Sequence, residues 1–166
     1  MSEGNLKVLS MLKPIEEAVD RLEQFSEVEV ATNSSRKEIM EKIQLYDGVI
    51  ADDEFSFDEE IFKRADNLKV VSRVGVGYEN IDIEAATNYG VMVTNTPGVM
   101  AESVAEHVIM MMLASAKNLV KADKEVREGM WEWEKYRGTE VWNGTLGQIG
   151  LGRIGYAVAK KASQCF

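Results

Sequence analysis

The sequence predicts an α/β protein built on a doubly wound parallel sheet, and three observations carry that prediction. Strand-length apolar runs alternate with helix-length segments through roughly the first hundred residues. Cap residues at Ser35, Ser56 and Asp82 mark where helices begin. Near the C-terminal end, Gly150-Leu151-Gly152-Arg153-Ile154-Gly155 follows a further apolar run and opens a further helical segment.

Lys7 to Met11 is a first strand, and Pro14 sits where the first turn of a helix starts. Ile15, Val19 and Leu22 recur at helical spacing after it. Glu27 to Thr32 alternates as a strand does. Ser35 with Glu38 has the spacing of a capping box, ahead of a helix holding Ile39, Met40 and Ile43. Gly48 to Ala51 reads as a buried strand, and Ser56 with Glu59 repeats the capping spacing before the next helix. Leu68 to Arg73 is the fourth strand, broken by Gly75-Val76-Gly77. Asp82 caps a short helix that Gly90 ends. Val91 to Thr94 is the fifth strand, closed by the turn residues Asn95-Thr96-Pro97-Gly98. Residues 1–100 are thus expected to form one domain, with few topologies open to it under the right-handed crossover rule.

A different pattern occupies residues 101–166. No strong breaker interrupts Ala101 to about Gly129, which predicts one long helix with a Met-rich apolar stripe. The connector after it carries Trp131, Trp133 and Trp142, side chains too large and apolar to be left in water, so it is expected to lie against a second body. Asn143-Gly144 then turns the chain into a strand over Thr145 to Ile149.

Composition narrows the function classes. Nineteen basic against 28 acidic residues give a net charge of −9, which argues against a phosphate-backbone binder. The single Cys165 cannot form an internal disulfide, favouring a reducing, cytoplasmic setting. The start MSEGNLKVLS has no secretory pattern, and the apolar run from Val108 is about half what a membrane span needs. Neither membrane nor nucleic acid is an expected partner.

The chemistry concentrates in two glycine-rich loops. Between a strand and a helix, the spacing of Gly150, Gly152 and Gly155 is that of a dinucleotide site: a tight turn, close backbone approach by a pyrophosphate, and close helix–strand packing. The acidic residue that should grip a ribose about 20 residues further on would fall past Phe166, so only the first β-α unit of a nucleotide fold is expected in this chain. Gly75-Val76-Gly77, at the carboxyl end of the fourth strand, lies on the edge where open α/β sheets bind ligands, and its amides can face a carboxylate. Asp52-Asp53-Glu54 and Asp58-Glu59-Glu60 have no His or Cys beside them and read as solvated helix-start acids rather than a metal site. The lone His107 reads as a helix-face residue rather than an acid–base group.

The run LKVVSRVGVGYENIDIEAATNYGVMVTNTPGV, then ESVAEH, then NGTLGQIGLGRIG, resembles the D-isomer-specific 2-hydroxyacid dehydrogenase family across residues 5–166. That family includes phosphoglycerate dehydrogenases, glyoxylate and hydroxypyruvate reductases, and the C-terminal-binding corepressors. The resemblance implies a flavodoxin-like substrate domain followed by a linker helix and a Rossmann domain. By position, Gly75, Val76 and Gly77 would hold the substrate carboxylate. Ser103 and Val104 would lie by the nicotinamide, and Gly150, Gly152, Arg153, Ile154 and Gly155 would wrap the pyrophosphate. Val104 departs from members that place Thr there.

The same resemblance implies NAD as cofactor, with NADP open, and a homodimer formed through the region after residue 100. It places the catalytic Arg, Glu and His beyond residue 166, so no catalytic residue is expected in this chain. The expected function of the parent protein is interconversion of a 2-keto acid and a D-2-hydroxy acid by hydride transfer. The alternative is a non-catalytic dinucleotide-sensing or dimerisation module of the corepressor type.

Overall fold

A computed structural model describes residues 6–165. The reading of the chain start as free of a secretory signal rests largely on residues 1–5, which lie outside the described residues, as does residue 166. The chain divides into two compact units, Met1–Pro97 and Gly98–Phe166.

The first unit is a parallel sheet of five strands: β1 (Leu6–Ser10), β2 (Ser26–Val30), β3 (Gly48–Ala51), β4 (Val70–Arg73) and β5 (Met92–Thr94). Their order is β2-β1-β3-β4-β5, the flavodoxin-like arrangement. Strand β1 pairs Val8 with Val28 on one side and with Gly48 on the other, so the chain reverses its winding across β1. Leu9 and Ser10 are neighbours and must point to opposite faces, yet both are fully buried. Both faces of the sheet are therefore covered, by α1 (Glu16–Leu22), α2 (Arg36–Lys42), α3 (Glu59–Arg64) and α4 (Ile83–Asn88). The core joins Leu9, Val49 and Val71 of the central strands to Ile39, Ile61 and Phe62 of the helices.

Local chemistry explains the boundaries. Ser35 and Glu38 form the expected capping box, with the Ser35 amide donating to Glu38 Oε2 at 2.7 Å and the Glu38 amide to Ser35 Oγ at 3.3 Å. Helix α3 corrects the sequence reading: its cap is Asp58, whose Oδ1 accepts the Ile61 amide, and Ser56 lies outside. Pro14 likewise sits one residue before the N-cap Ile15 rather than in the first turn of α1. Asp82 caps α4 as expected, and Gly90 at φ +71 ends it. There the Gly90 amide bonds Thr87 O and the Val91 amide bonds Ala86 O, the paired bonds of a Schellman stop.

The second unit departs further from expectation. The single helix predicted over 101–129 is two, α5 (Ala101–Ala116) and α6 (Leu119–Arg127). Asn118 breaks it with a left-handed φ of +55, a conformation asparagine tolerates better than most side chains. Its Nδ2 donates to Arg137 O at 3.0 Å, and the Thr139 amide donates to Ala116 O at 2.7 Å, so the connector is tied to the break. The predicted strand at 145–149 is not formed. A parallel strand exists only through a neighbour's ladder, and no described strand pairs with this segment. Ile149 is fully exposed. Helix α7 (Arg153–Ala162) does form and crosses the N-terminal half of α5, where Ala157 and Val158 pack against Ala105, Val108 and Ile109. Lys161 pins the pair through Glu102 at 3.0 Å and Glu106 at 3.2 Å. No helix among the described residues is long and apolar enough to cross a membrane.

Candidate functional site

The first candidate element is the loop that leaves β4. Gly75 has φ +140, which an L side chain resists, and a Cβ there would lie 2.7 Å from Arg73 Nη1. The loop is braced from the next turn. The Gly75 amide donates to Thr96 Oγ1 at 3.0 Å, the Thr96 amide donates to Gly75 O at 2.9 Å, and Asn95 Nδ2 donates to Val76 O at 2.8 Å. The amides of Val76 and Gly77 have no acceptor among the described residues. Two amides without acceptors, on a loop braced at the carboxyl edge of a parallel sheet, are donors available to an anion.

Beneath the loop lies Arg73, the last residue of β4 and 8% exposed. Its Nη1 donates to Val74 O, its Nη2 stands 4.0 Å from Asp53 Oδ2, and its Nε has no partner. Sequence reading marks Arg73 only as the start of a glycine-rich run. The signal available was a cation ending an apolar strand. The bracing by Asn95 and Thr96 was legible only as a turn, because side chain–backbone pairing across 19 to 21 residues leaves no local pattern.

The second candidate element lies in the other unit. Gly150 (φ +88) and Gly152 face open space, with nothing within 4 Å of an added Cβ. Gly155 is closed: its Cβ would fall 2.5 Å from Gly150 O and 2.8 Å from Gln148 Nε2. Gln148 Nε2 also donates to Gly150 O and to Gly155 O, both at 2.9 Å, so it fastens the loop across its base. Gly152 is the N-cap of α7, no side chain caps the helix, and its first turn holds no acid. Open glycine faces, uncapped amides and the positive end of a ten-residue helix fit a dinucleotide pyrophosphate.

Arg153 and Ile154 are exposed on that first turn, and the Arg153 side chain lies 3.4 Å from the Cβ position of Gly98. Ser103 is exposed and Val104 half-buried in the first turn of α5, the helix that α7 crosses. The structure thus gathers Ser103, Val104 and the 150–155 loop in one unit, with Gly75, Val76 and Gly77 in the other.

The remaining polar candidates have structural partners. Asp52 Oδ1 accepts the Glu54 and Phe55 amides, and Asp58 is a helix cap bonded to Arg36. His107 is exposed on α5. No group of His, Cys, Asp and Glu able to hold a metal ion occurs among the described residues.

A family model described as the catalytic domain of D-isomer specific 2-hydroxyacid dehydrogenases matches residues 8–164. A D-3-phosphoglycerate dehydrogenase of Archaeoglobus fulgidus is 44% identical over 158 residues, spanning 94% of this chain and 30% of that protein. A glyoxylate reductase of Pyrococcus furiosus is 38% identical over 157 residues, spanning 89% of this chain and 47% of that protein. Among solved structures, the TT0316 protein of Thermus thermophilus superimposes with a TM-score of 0.89 at 36% identity, covering 96% of this chain and 53% of that one. The chain therefore spans about half the length, or less, of these relatives.

Proposed function

Because the chain belongs to the D-isomer specific 2-hydroxyacid dehydrogenase family, we propose that it is the substrate-binding domain and early nucleotide-binding segment of an NAD-dependent enzyme. That enzyme interconverts a 2-keto acid and its D-2-hydroxy acid. The observation that carries the proposal is the pair of glycine loops, one with two acceptor-free amides at the carboxyl edge of the sheet and one with open glycine faces at a helix N-terminus.

The family resemblance assigns the roles, and the geometry of each loop supports them. The free amides of Val76 and Gly77 receive the substrate carboxylate, and Gly75 gives the backbone its path over Arg73. Gly150 and Gly152 leave room for phosphate oxygens at the first turn of α7, where Arg153 and Ile154 flank them. Ser103 and Val104, on α5, lie toward the nicotinamide. When bound, the nicotinamide supplies or accepts the hydride at the substrate C2. In this reading an Arg that orients the substrate, a His that exchanges the proton and a Glu that keeps the His protonated belong to the rest of the proposed enzyme, and residues 1–166 alone are expected to bind without turnover. A homodimer through residues after 100, where Trp131 and Trp142 are exposed, is part of the same proposal.

The test is NADH binding, followed by its quenching of tryptophan fluorescence, in the native protein and in Gly152→Val. A Cβ at Gly152 meets nothing within 4 Å, so the variant should keep its circular dichroism spectrum. Its affinity should fall at least ~10-fold, about 1.4 kcal/mol, because the branched side chain occupies the pyrophosphate's place. Equal affinity in the two proteins would overturn the assignment of the loop.

A further inference from the structure

Gln148 stands two residues before the first glycine of the 150–155 loop and is no part of the glycine spacing. Its side-chain amide makes two bonds at once, Nε2 donating to Gly150 O at 2.9 Å and to Gly155 O at 2.9 Å. A primary amide carries two N–H groups, so the two carbonyls use both. No backbone amide among the described residues reaches Gly150 O, which leaves Gln148 as its donor. The place is shaped for this contact. A Cβ at position 155 would lie 2.5 Å from Gly150 O and 2.8 Å from Gln148 Nε2, so any larger residue there would force them apart.

The bond to Gly150 O sets which way a peptide faces. In a planar trans peptide the C=O and the following N–H point in opposite directions. With Gly150 O turned toward Gln148, the Leu151 N–H is turned away from it, and it donates to nothing among the described residues. Gly150, at φ +88, has no Cβ to hold it in one backbone state, so an outside tie is what keeps the 150–151 peptide from turning over. The bond to Gly155 O carries that tie into the first turn of α7, whose N-cap Gly152 has no side-chain cap of its own.

We propose that Gln148 is a positioning residue for the dinucleotide: its amide fixes the Gly150–Leu151 peptide, keeps the Leu151 N–H available to a phosphate oxygen, and holds the loop in its binding shape before the ligand arrives. The proposal rests on the reading of the 150–155 loop as a pyrophosphate site. A loop already ordered costs the ligand less on binding, so loosening it weakens binding without removing any group that touches the ligand.

The test sets the native protein beside Gln148→Met and Gln148→Glu, titrated with NAD by calorimetry from pH 5 to pH 8, with the Leu151 amide resonance followed in 15N-labelled protein at pH 6. Gln148 is exposed, so both variants should keep the native circular dichroism spectrum. Met has a similar length and no donor, so NAD affinity should fall about three- to tenfold at every pH, the scale of one or two lost hydrogen bonds. Glu donates only while protonated, and above its ordinary value of about 4.3 its carboxylate faces two carbonyl oxygens. The affinity of that variant relative to the native protein should therefore fall as pH rises, a profile that lost packing would not give. Without NAD, the Leu151 resonance should shift or broaden in both variants as the peptide leaves its single orientation. Native affinity in Gln148→Met, a flat relative profile in Gln148→Glu, or an unmoved Leu151 resonance would each overturn the proposal. Failure of the native protein to bind NAD would instead overturn the reading of the loop on which the proposal rests.

Discussion

Glu29 of β2 binds two neighbours at once: Lys42 Nζ of α2 at 2.6 Å, and the Tyr46 hydroxyl, which donates to its other oxygen. The hydrogen bonds from Lys42 and Tyr46 hold the Glu29 carboxyl below its ordinary value of 4.5. Burial first, and then the Glu29 carboxylate, pushes the Tyr46 hydroxyl above its ordinary value of 10.0. A depressed carboxyl contributes stability above its unfolded value, and that contribution is lost as pH falls through its folded one. A raised phenol contributes below its unfolded value and loses that contribution as pH rises. Denaturation of the native protein should therefore become easier below about pH 4.5 and again above about pH 10. Glu29→Gln should be less stable at pH 7 and should show a shallower loss on the acid side. An acid limb of unchanged slope in urea titrations across pH 3–6 would disprove the Glu29 contribution. At this same scale the three glycines at 150, 152 and 155 were legible as a motif. Which of them is open and which packed was not, because that depends on Gln148, a residue outside the motif.

Among elements, legibility follows how local the determining interaction is. The Ser35 capping box and the Gly90 stop lie within a few residues of their helices, and both form where the spacing placed them. Ser56 failed against Asp58 because the two compete for one helix start, and Asp58 is also held by Arg36 from α2, 22 residues away. Sequence spacing cannot see that second hold. The competition gives a direct comparison. Asp58→Ala should cost about 1–2 kcal/mol, as loss of a helix cap does, whereas Ser56→Ala should stay within about 0.5 kcal/mol. Equal losses on thermal denaturation would return the cap to Ser56. The break between α5 and α6 was hidden for a related reason. Asn118 is an unremarkable helix residue until its amide side chain reaches Arg137 O, a bond 19 residues away that stabilises the left-handed turn.

Over the whole chain, the described residues divide by how many of their backbone groups are paired. In β1, β3 and β4 each strand has neighbours on both sides and Leu9, Val49 and Val71 are sealed from water, so these amides open only with the unit itself. Helix α7 is held by one apolar contact with α5 and by Lys161, which is less. Residues 145–151 have no backbone hydrogen bond from their amides, and Ile149 and Leu151 stand in solvent. Yet this segment has the composition of a buried strand, and the proposed function makes it the first strand of a nucleotide-binding sheet. The two statements agree if its ladder partners lie in the remainder of the proposed enzyme. Each buried backbone group left unpaired costs about 1–3 kcal/mol, so the segment stays solvated until a partner pairs it. Hydrogen exchange on residues 1–166 should therefore find 145–151 exchanging at nearly the unprotected rate, α7 intermediate, and the central strands slowest. In the proposed full-length enzyme, residues 145–149 should move to the slow class while the first unit is unchanged. Strong protection of 145–149 in a verified monomer of residues 1–166 would show that the segment finds partners within this chain. Persistent fast exchange in the proposed full-length enzyme would show that it is not a sheet strand at all.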